Sequence, residues 1–312
     1  MKRVHVTGES GLVGSSIIRR YKSDASVDLS STTSKTLNLL AYGHVVSFFE
    51  ELRPDVVIMA AARVGGIGAN VKTPATLMVE NSMMQTNLMS AASKANVQRL
   101  IFLSSAAVYP INADQPLKEA DLLSGDIEHN VKPFAITKIL GMEMVRAFSS
   151  QEGRDWISVI PSNTYGPGDN FSPGSSHVMG ALMIKFLQAV RNGESTVEVW
   201  GAGSAMREFT HADDLASAIK LVEGQYHSPE PINIASGQEI SIAGLAELLL
   251  KISGFKGRLT FDPSKPAGAP RKLQDSSRIK SLGWSPKISL EQGAAETFEW
   301  LKENLPLGRV RH

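Results

Sequence analysis

The fold of this 312-residue chain is decided by Val4-His5-Val6-Thr7-Gly8-Glu9-Ser10-Gly11-Leu12-Val13-Gly14. A short apolar run leads into Gly-x-x-Gly-x-x-Gly, and residues 11–21 then place apolar side chains on one helical face. In such a turn the first glycine allows the bend, the second admits a pyrophosphate, and the third lets the helix approach the sheet. Because free N–H groups at a helix N-terminus favour an anion, the stretch predicts a dinucleotide-binding turn. Its candidate cofactor contacts are Gly8, Ser10, Gly11, Leu12, Val13 and Gly14.

Apolar runs of strand length alternate with helical segments along the first half of the chain. The strands are predicted at 27–31, 55–59, 99–103 and 157–161, and the helices at 45–53, 74–95 and 134–150. Strands that alternate with helices imply right-handed βαβ units and a parallel sheet. The sequence therefore predicts an α/β protein with a Rossmann-type, doubly wound parallel sheet.

The pattern changes after residue 165. Turn-rich segments at 169–176 and 262–270 are mixed with helices predicted at 177–191 and 242–253. We expect a smaller α+β substrate-binding region on the C-terminal side of the chain. The predicted division gives the dinucleotide domain residues 1–165 and 205–224, and the substrate region residues 166–204 and 225–312.

Composition excludes several classes of protein. The net charge is +1 with no run of like charges, so nucleic acid is not an expected partner. No apolar stretch approaches the roughly 20 residues of a membrane span. The chain has no cysteine, which excludes disulfides and thiolate zinc sites and fits a cytoplasmic location. No spacing of His, Asp and Glu suggests another metal site.

The second strand ends in Ser31-Thr32-Thr33-Ser34-Lys35, without a carboxylate. An NAD enzyme commonly places Asp or Glu at this tip to bind the ribose 2′-OH, and Asp28 comes too early for that role. Hydroxyl donors and one positive charge suit a 2′-phosphate instead. The tip favours NADP over NAD, with Thr32 and Lys35 as candidate contacts. A solvated loop without a cofactor role is the alternative for each of them.

Three motifs together give a specific resemblance. They are the glycine turn, the run 102–110 that contains Ser105, and the helix start Pro133-Phe134-Ala135-Ile136-Thr137-Lys138. These motifs resemble the extended short-chain dehydrogenases/reductases. Further motifs extend the resemblance to the GDP-L-fucose synthase family, at 60–67, 161–171, 175–178, 200–203, 206–214, 264–266, 270–272 and 282–284. The resemblance implies NADP(H)-dependent epimerase and reductase chemistry on a GDP-linked 4-keto-6-deoxyhexose.

The resemblance also implies roles for individual positions. In the family a Ser-Tyr-Lys triad reduces the C4 ketone, and Ser105 and Lys138 match its serine and lysine. A cysteine and a histidine epimerise C3 and C5, and His177 matches the histidine. Further cofactor contacts are implied for Ala60, Ala61, Ala62, Lys138, Asn163 and His177. Substrate contacts are implied for Ser105, Ala106, Asn163, Lys185, Trp200, Arg207 and Lys272, of which the cations would bind the diphosphate.

Two proton-transfer groups of the family are absent from this sequence. Phe134 stands at the tyrosine position, and Ala107 stands at the cysteine position. Phenylalanine cannot donate a proton, and general acid–base catalysis is typically worth about 10²–10⁴-fold. We expect impaired or altered chemistry unless water, Ser105 or Thr137 substitutes. Three interpretations stay open: an enzyme re-tuned to another GDP-sugar such as a heptose, an engineered variant, or a protein that binds both ligands without turnover.

The helices predicted at 74–95 and 134–150 are rich in apolar residues. In the family these two helices pair into a four-helix dimer interface, so the resemblance implies a homodimer. Ordinary core packing is the alternative for each contributor. The candidate contributors are Met83, Met84, Leu88, Ile139, Met142 and Met144.

Overall fold

Strands and helices alternate in the computed structural model, which describes residues 1–265 and 268–310. The strands are β1 (Lys2–Thr7), β2 (Val27–Thr32), β3 (Val56–Met59), β4 (Arg99–Leu103), β5 (Asp155–Pro161), β6 (Asn163–Tyr165), β7 (Thr196–Trp200), β8 (Met206–His211), β9 (Ile232–Ile234), β10 (Glu239–Ser241), β11 (Arg258–Asp262) and β12 (Arg271–Lys272). The helices are α1 (Leu12–Lys22), α2 (Tyr42–Leu52), α3 (Ile67–Lys72), α4 (Pro74–Lys94), α5 (Lys132–Glu152), α6 (Val178–Asn192), α7 (Ala212–Gln225), α8 (Ile242–Ser253), α9 (Ser277–Ser281) and α10 (Leu290–Asn304).

The central sheet has six parallel strands in the order β2-β1-β3-β4-β5-β9. This confirms the predicted Rossmann-type α/β fold. The order of the strands reverses between β1 and β3, where Val4 pairs with Val56. Such a reversal is the topological switch point, outside which ligands bind in open α/β sheets. The glycine turn follows β1 directly, so it lies at that point.

Helices cover both faces of the central sheet. Val57 packs with α2, α4 and α5 on one face, and its neighbour Ile58 packs with α1 and α7 on the other. Successive residues of a strand point to opposite faces, so a strand covered on both faces needs an unbroken apolar run. All four residues of β3 are buried for this reason. None of the helices within 1–265 and 268–310 is both long and apolar enough to cross a membrane.

A second set of strands and helices packs around a separate core. β8 pairs with β6, β10 and β12, and β7 pairs with β11. Their core contains Met183 and Phe186 of α6, Leu245 of α8 and Phe298 of α10. The predicted domain division at 205–224 and 225–312 stays a proposal. Two strands are relevant to it: β8 pairs within this second set of strands, whereas β9 completes the central sheet.

Candidate active site

The turn after β1 is held together by close backbone packing. Gly8 has a φ of +77°, and a Cβ there would lie 2.8 Å from the Ala61 backbone. A Cβ on Gly14 would lie 2.1 Å from the carbonyl oxygen of Gly8. Gly11 is the N-cap of α1, with no side-chain cap and no acidic residue in the first turn. No side chain competes at this helix start, so the turn fits the diphosphate of a dinucleotide.

The loop after β3 forms the opposite wall of the turn. The Ala61 amide donates to Thr7 Oγ1 at 3.2 Å. The buried side chain of Asn81 in α4 accepts from the Arg63 amide at 2.8 Å and donates to its carbonyl at 2.9 Å. Ala60, Ala61 and Ala62 are half-buried here. No sequence pattern pointed to Asn81, because an asparagine inside a helix has many possible roles.

The tip of β2 differs from expectation at Thr32. Its side chain is 5% exposed, and Oγ1 lies 3.3 Å from Nε2 of the buried His5. The contact of Thr32 with the glycine turn is made by its carbonyl, which accepts from the Gly8 and Glu9 amides at 2.9 and 3.2 Å. The expectation of a cofactor contact through the Thr32 hydroxyl is therefore wrong. Lys35 is exposed, as expected of a residue that could reach a ligand at the surface.

The positions matched to the reductase triad lie at the end of β4. Lys138 is 5% exposed, and its Nζ donates to the Leu103 carbonyl at 2.8 Å. The same Nζ lies 4.9 Å from the Phe102 ring centre and 5.8 Å from that of Phe134. Burial lowers the pKa of Lys138 to about 8. The lysine is thus held at the end of β4, next to the rings of Phe102 and Phe134.

Ser105 begins a short 3-10 turn (Ala106–Val108) at the same strand end. Its Oγ accepts from the Ala107 amide at 3.2 Å. The hydroxyl proton is still available to a ligand, because a hydroxyl donates as well as accepts. Ser105, Ala106 and Ala107 are half-buried, so a ligand can reach them.

Two hydroxyls close to Phe134 and Ser105 in sequence have other partners. Thr137 Oγ1 donates to the Phe134 carbonyl at 2.7 Å. Tyr109 is 2% exposed and its Oη donates to Asn233 Oδ1 at 2.6 Å, while burial raises its pKa. Both hydroxyls thus already have partners, and substitution by water, Ser105 or Thr137 stays a prediction.

His177 is exposed and stands at the N-cap of α6, where it makes no side-chain cap. The loop before it packs against the segment 65–68. The Gly66 amide donates to the Ser175 carbonyl at 2.8 Å, and a Cβ on Gly66 would lie 2.4 Å from the Ser176 carbonyl oxygen. Two motifs that lie more than a hundred residues apart in the sequence are thus in direct contact.

Two cations expected to bind a diphosphate surround Glu128. Lys272 Nζ lies 2.8 Å from Glu128 Oε2. A Cβ on Gly268 would lie 3.1 Å from Arg207 Nη2 and 3.2 Å from Glu128 Oε1, so these two side chains also lie close together. Glu128 is 6% exposed and offsets one of the two positive charges. Sequence reasoning missed Glu128, and the motif residue Pro266 lies outside the described residues.

The other substrate candidates form a second group. Lys185 Nζ lies 5.5 Å from the Trp200 ring centre and donates to the Glu198 carbonyl at 2.7 Å. Trp200 is 48% exposed, so a ligand can reach it. Asn163 is half-buried, and its Nδ2 donates to the Glu208 carbonyl at 2.9 Å.

Helices α4 and α5 pack side by side and leave an apolar stripe exposed. Its residues are Val79, Met83, Ile136 and Leu140, exposed by 55, 43, 38 and 41%. Of the expected interface residues Met83 belongs to this stripe. Leu88 and Met142 are 1 and 3% exposed and pack in the core, so their expected place in an interface is wrong.

The fold and the site define a nicotinamide-dinucleotide-dependent protein of the short-chain dehydrogenase/reductase class. Among residues 1–265 and 268–310, no three His, Cys, Asp or Glu side chains group as metal ligands would. A profile of the NAD dependent epimerase/dehydratase family matches residues 4–235. The chain belongs to that family, whose members similar to it are epimerase/reductases of GDP-sugars.

Three known proteins illustrate the similarity. GDP-L-fucose synthase 1 of Arabidopsis thaliana is 45% identical over 303 residues, covering 97% of this chain and 94% of its own. A GDP-6-OMe-4-keto-L-xylo-heptose reductase from C. jejuni has a TM-score of 0.91 at 30% identity, covering 97% of this chain and 98% of its own. An NADP-bound GDP-L-fucose synthetase from Naegleria fowleri has a TM-score of 0.90 at 27% identity, covering 100% and 96%.

Proposed function

We propose that this chain binds NADP(H) and a GDP-linked 4-keto-6-deoxyhexose, and that its C4 reduction is slowed by the absence of a phenol at residue 134. The carrying observation is the buried lysine at the end of β4. Lys138 Nζ donates to the Leu103 carbonyl, and the ring 5.8 Å from it is that of Phe134. This supports a site that keeps its binding residues and lacks one proton donor.

The chain's own residues divide the work of such a site. The cofactor supplies the hydride when it is bound. Ser105 donates its hydroxyl proton to the ketone oxygen in a hydrogen bond, and Phe134 excludes water from one side of that oxygen. The ammonium group of Lys138 places a positive charge next to the Phe134 ring. With no phenol at residue 134, the proton of the new alkoxide comes from water, either directly or by way of the Ser105 hydroxyl.

Epimerisation at C3 and C5 also lacks a proton-transfer side chain, in this case the base. Ala107 occupies the position that the family gives to a cysteine, and it carries no titratable group. His177 could still deliver a proton, but abstraction of the proton beside the ketone has no partner at residue 107. The proposed activity is thus weak reduction with little or no epimerisation.

A GDP-heptose is the second candidate substrate. Two observations favour it: the similar C. jejuni structures include GDP-heptose reductases, and Ala107 suits a reductase that does not epimerise. Binding without turnover is the third possibility, favoured by Phe134. The cation group at Arg207 and Lys272 serves any nucleoside diphosphate sugar equally well.

The apolar stripe on α4 and α5 supports a homodimer in which these helices pack against their counterparts. The absence of cysteine supports a cytoplasmic location.

Thermal unfolding with a panel of ligands tests the proposal. Binding to the folded state raises stability by about 2.7 kcal/mol at a ligand concentration of 100 Kd, whether or not turnover occurs. The panel is GDP-, UDP- and dTDP-linked sugars, each with and without NADP⁺. We expect a rise in melting temperature with NADP⁺ and a further rise with GDP-sugars. A rise with UDP- or dTDP-sugars alone would contradict the substrate class, and no rise with NADP⁺ would contradict the cofactor.

A further inference from the structure

The glycine turn carries a carboxylate that the dinucleotide site does not explain. The side chain of Glu9 accepts a hydrogen bond from the hydroxyl of Ser31, the residue before the end of β2. The Glu9 amide also donates to the Thr32 carbonyl at 3.2 Å, so both backbone and side chain bind the strand tip. Glu9 and Ser31 are half-buried, and a ligand can reach both.

This is the place where a Rossmann-type fold recognises the adenine ribose. The group that binds the 2′-OH of NAD is an Asp or Glu at the end of the second strand. No acidic residue occupies positions 29–36 of this chain. Glu9 supplies the missing carboxylate from the other side, by reaching across from the turn to Ser31.

The charge of Glu9 acts differently on the two forms of the cofactor. A ribose 2′-OH can donate a hydrogen bond to a carboxylate. A 2′-phosphate carries about −1.5 to −2 charges near neutral pH, so the same carboxylate repels it. Lys35 is the only cation among residues 27–36, and it is exposed to screening by salt.

We propose that Glu9 determines cofactor specificity. Its negative charge reduces the difference in affinity between NADP(H) and NAD(H), so that the chain also accepts NAD(H). The inference rests on the proposed dinucleotide binding. The residues expected to bind at the tip of β2 attract a 2′-phosphate, whereas the carboxylate of Glu9 repels it.

Equilibrium binding measures the effect without any need for turnover. Wild type and Glu9→Gln would be titrated calorimetrically with NADP⁺ and NAD⁺, and with the fragments 2′,5′-ADP and 5′-AMP, at one fixed ionic strength. Glu51→Gln, an exposed residue of α2, is the matched control. Glu9→Ala is the second variant, in case the amide of glutamine forms new contacts.

In wild type we expect the two dinucleotides to differ in Kd by less than about tenfold. Removing a like charge next to a phosphate should raise the preference for NADP⁺ over NAD⁺ by at least about tenfold in Glu9→Gln. The affinity for 2′,5′-ADP should rise as well, whereas the affinity for 5′-AMP should not. Glu51→Gln should leave the ratio unchanged. An unchanged ratio in both Glu9 variants would overturn the inference and leave the proposed function intact. Failure of wild type to bind either dinucleotide would overturn both.

Discussion

Lys138 Nζ lies 5.8 Å from the centre of the Phe134 ring, one helical turn before it in α5. That distance lies within the range of a cation–π contact. The ring thus stabilises the ammonium but cannot exchange a proton with it or with a substrate. The proposed loss of a proton donor at position 134 predicts a gain in rate when a phenol is restored there.

Phe134→Tyr should accelerate NADPH oxidation with a GDP-4-keto-6-deoxy sugar by at least about tenfold, because it restores a general acid beside the ketone. The measurement is absorbance at 340 nm with product analysis. Phe148→Tyr is the matched control, since Phe148 lies in the same helix but packs 4.8 Å from the Trp156 ring. An equal rate in wild type and Phe134→Tyr would argue for binding without turnover or for another substrate.

Gly14→Ala should weaken dinucleotide binding at least about tenfold and destabilise the fold by about 1–3 kcal/mol, because the new Cβ would meet the Gly8 carbonyl oxygen at 2.1 Å. The shift this forces would move the turn that meets the diphosphate. Gly43→Ala is the control, because a Cβ at Gly43 meets no atom within 4 Å. Calorimetric titration and urea unfolding measure the two effects, and equal behaviour of the two variants would contradict the packing argument.

His5 should make the stability of the fold fall in acid. Burial between Phe48, Phe49 and the hydroxyls of β2 lowers its pKa from 6.5 to about 4. The unfolded chain therefore takes up the proton first as the pH falls. The contribution of neutral His5 to the free energy of unfolding is complete above pH 6.5 and is lost progressively between pH 6.5 and about 4. The loss from this group is at most about 3 kcal/mol.

Urea unfolding at a series of pH values tests this. His5→Asn should show a flatter decline than wild type between pH 6.5 and 4, whereas His44→Asn, at an exposed position of α2, should follow wild type. Parallel curves for His5→Asn and wild type would show that His5 does not contribute.

Leu140→Glu should convert the expected homodimer into a monomer, because it places a charge in the apolar stripe on α4 and α5. Leu140 is 41% exposed, so the fold itself should tolerate the change. Light scattering after size exclusion gives the mass. Val190→Glu, at a residue of α6 exposed to a similar 44%, is the control. A monomeric wild type would contradict the interface directly.

The inner strands of the central sheet could be predicted from the sequence because they are buried on both faces. A nearly continuous apolar run such as 99–103, in which only Arg99 is charged, leaves little choice of structure, and the structure has a strand at those residues. β9 has only three residues, so it did not stand out, and it owes its place to its pairing with β5.

The candidate site could be predicted where motifs carry it, and not where contacts are long-range. The glycine turn follows from a local pattern, and the pairing of Ser105 with Lys138 follows from the family resemblance. Glu128 lies 144 residues from Lys272, and its role depends on a fold that brings them together. Thr32 was misplaced because a strand alternates its side chains, and the last residue of β2 points towards His5.

The placement of β9 in the central sheet has a practical consequence for expressing parts of this protein. A fragment that ended before residue 232 would contain every residue of the dinucleotide turn, yet it would leave β5 as a bare edge. Ile157, Val159 and Ile160 of that strand are fully buried in the whole chain. An uncovered, apolar edge strand recruits further copies by strand pairing. A chain truncated before residue 232 should therefore form inclusion bodies on expression rather than a folded dinucleotide-binding domain.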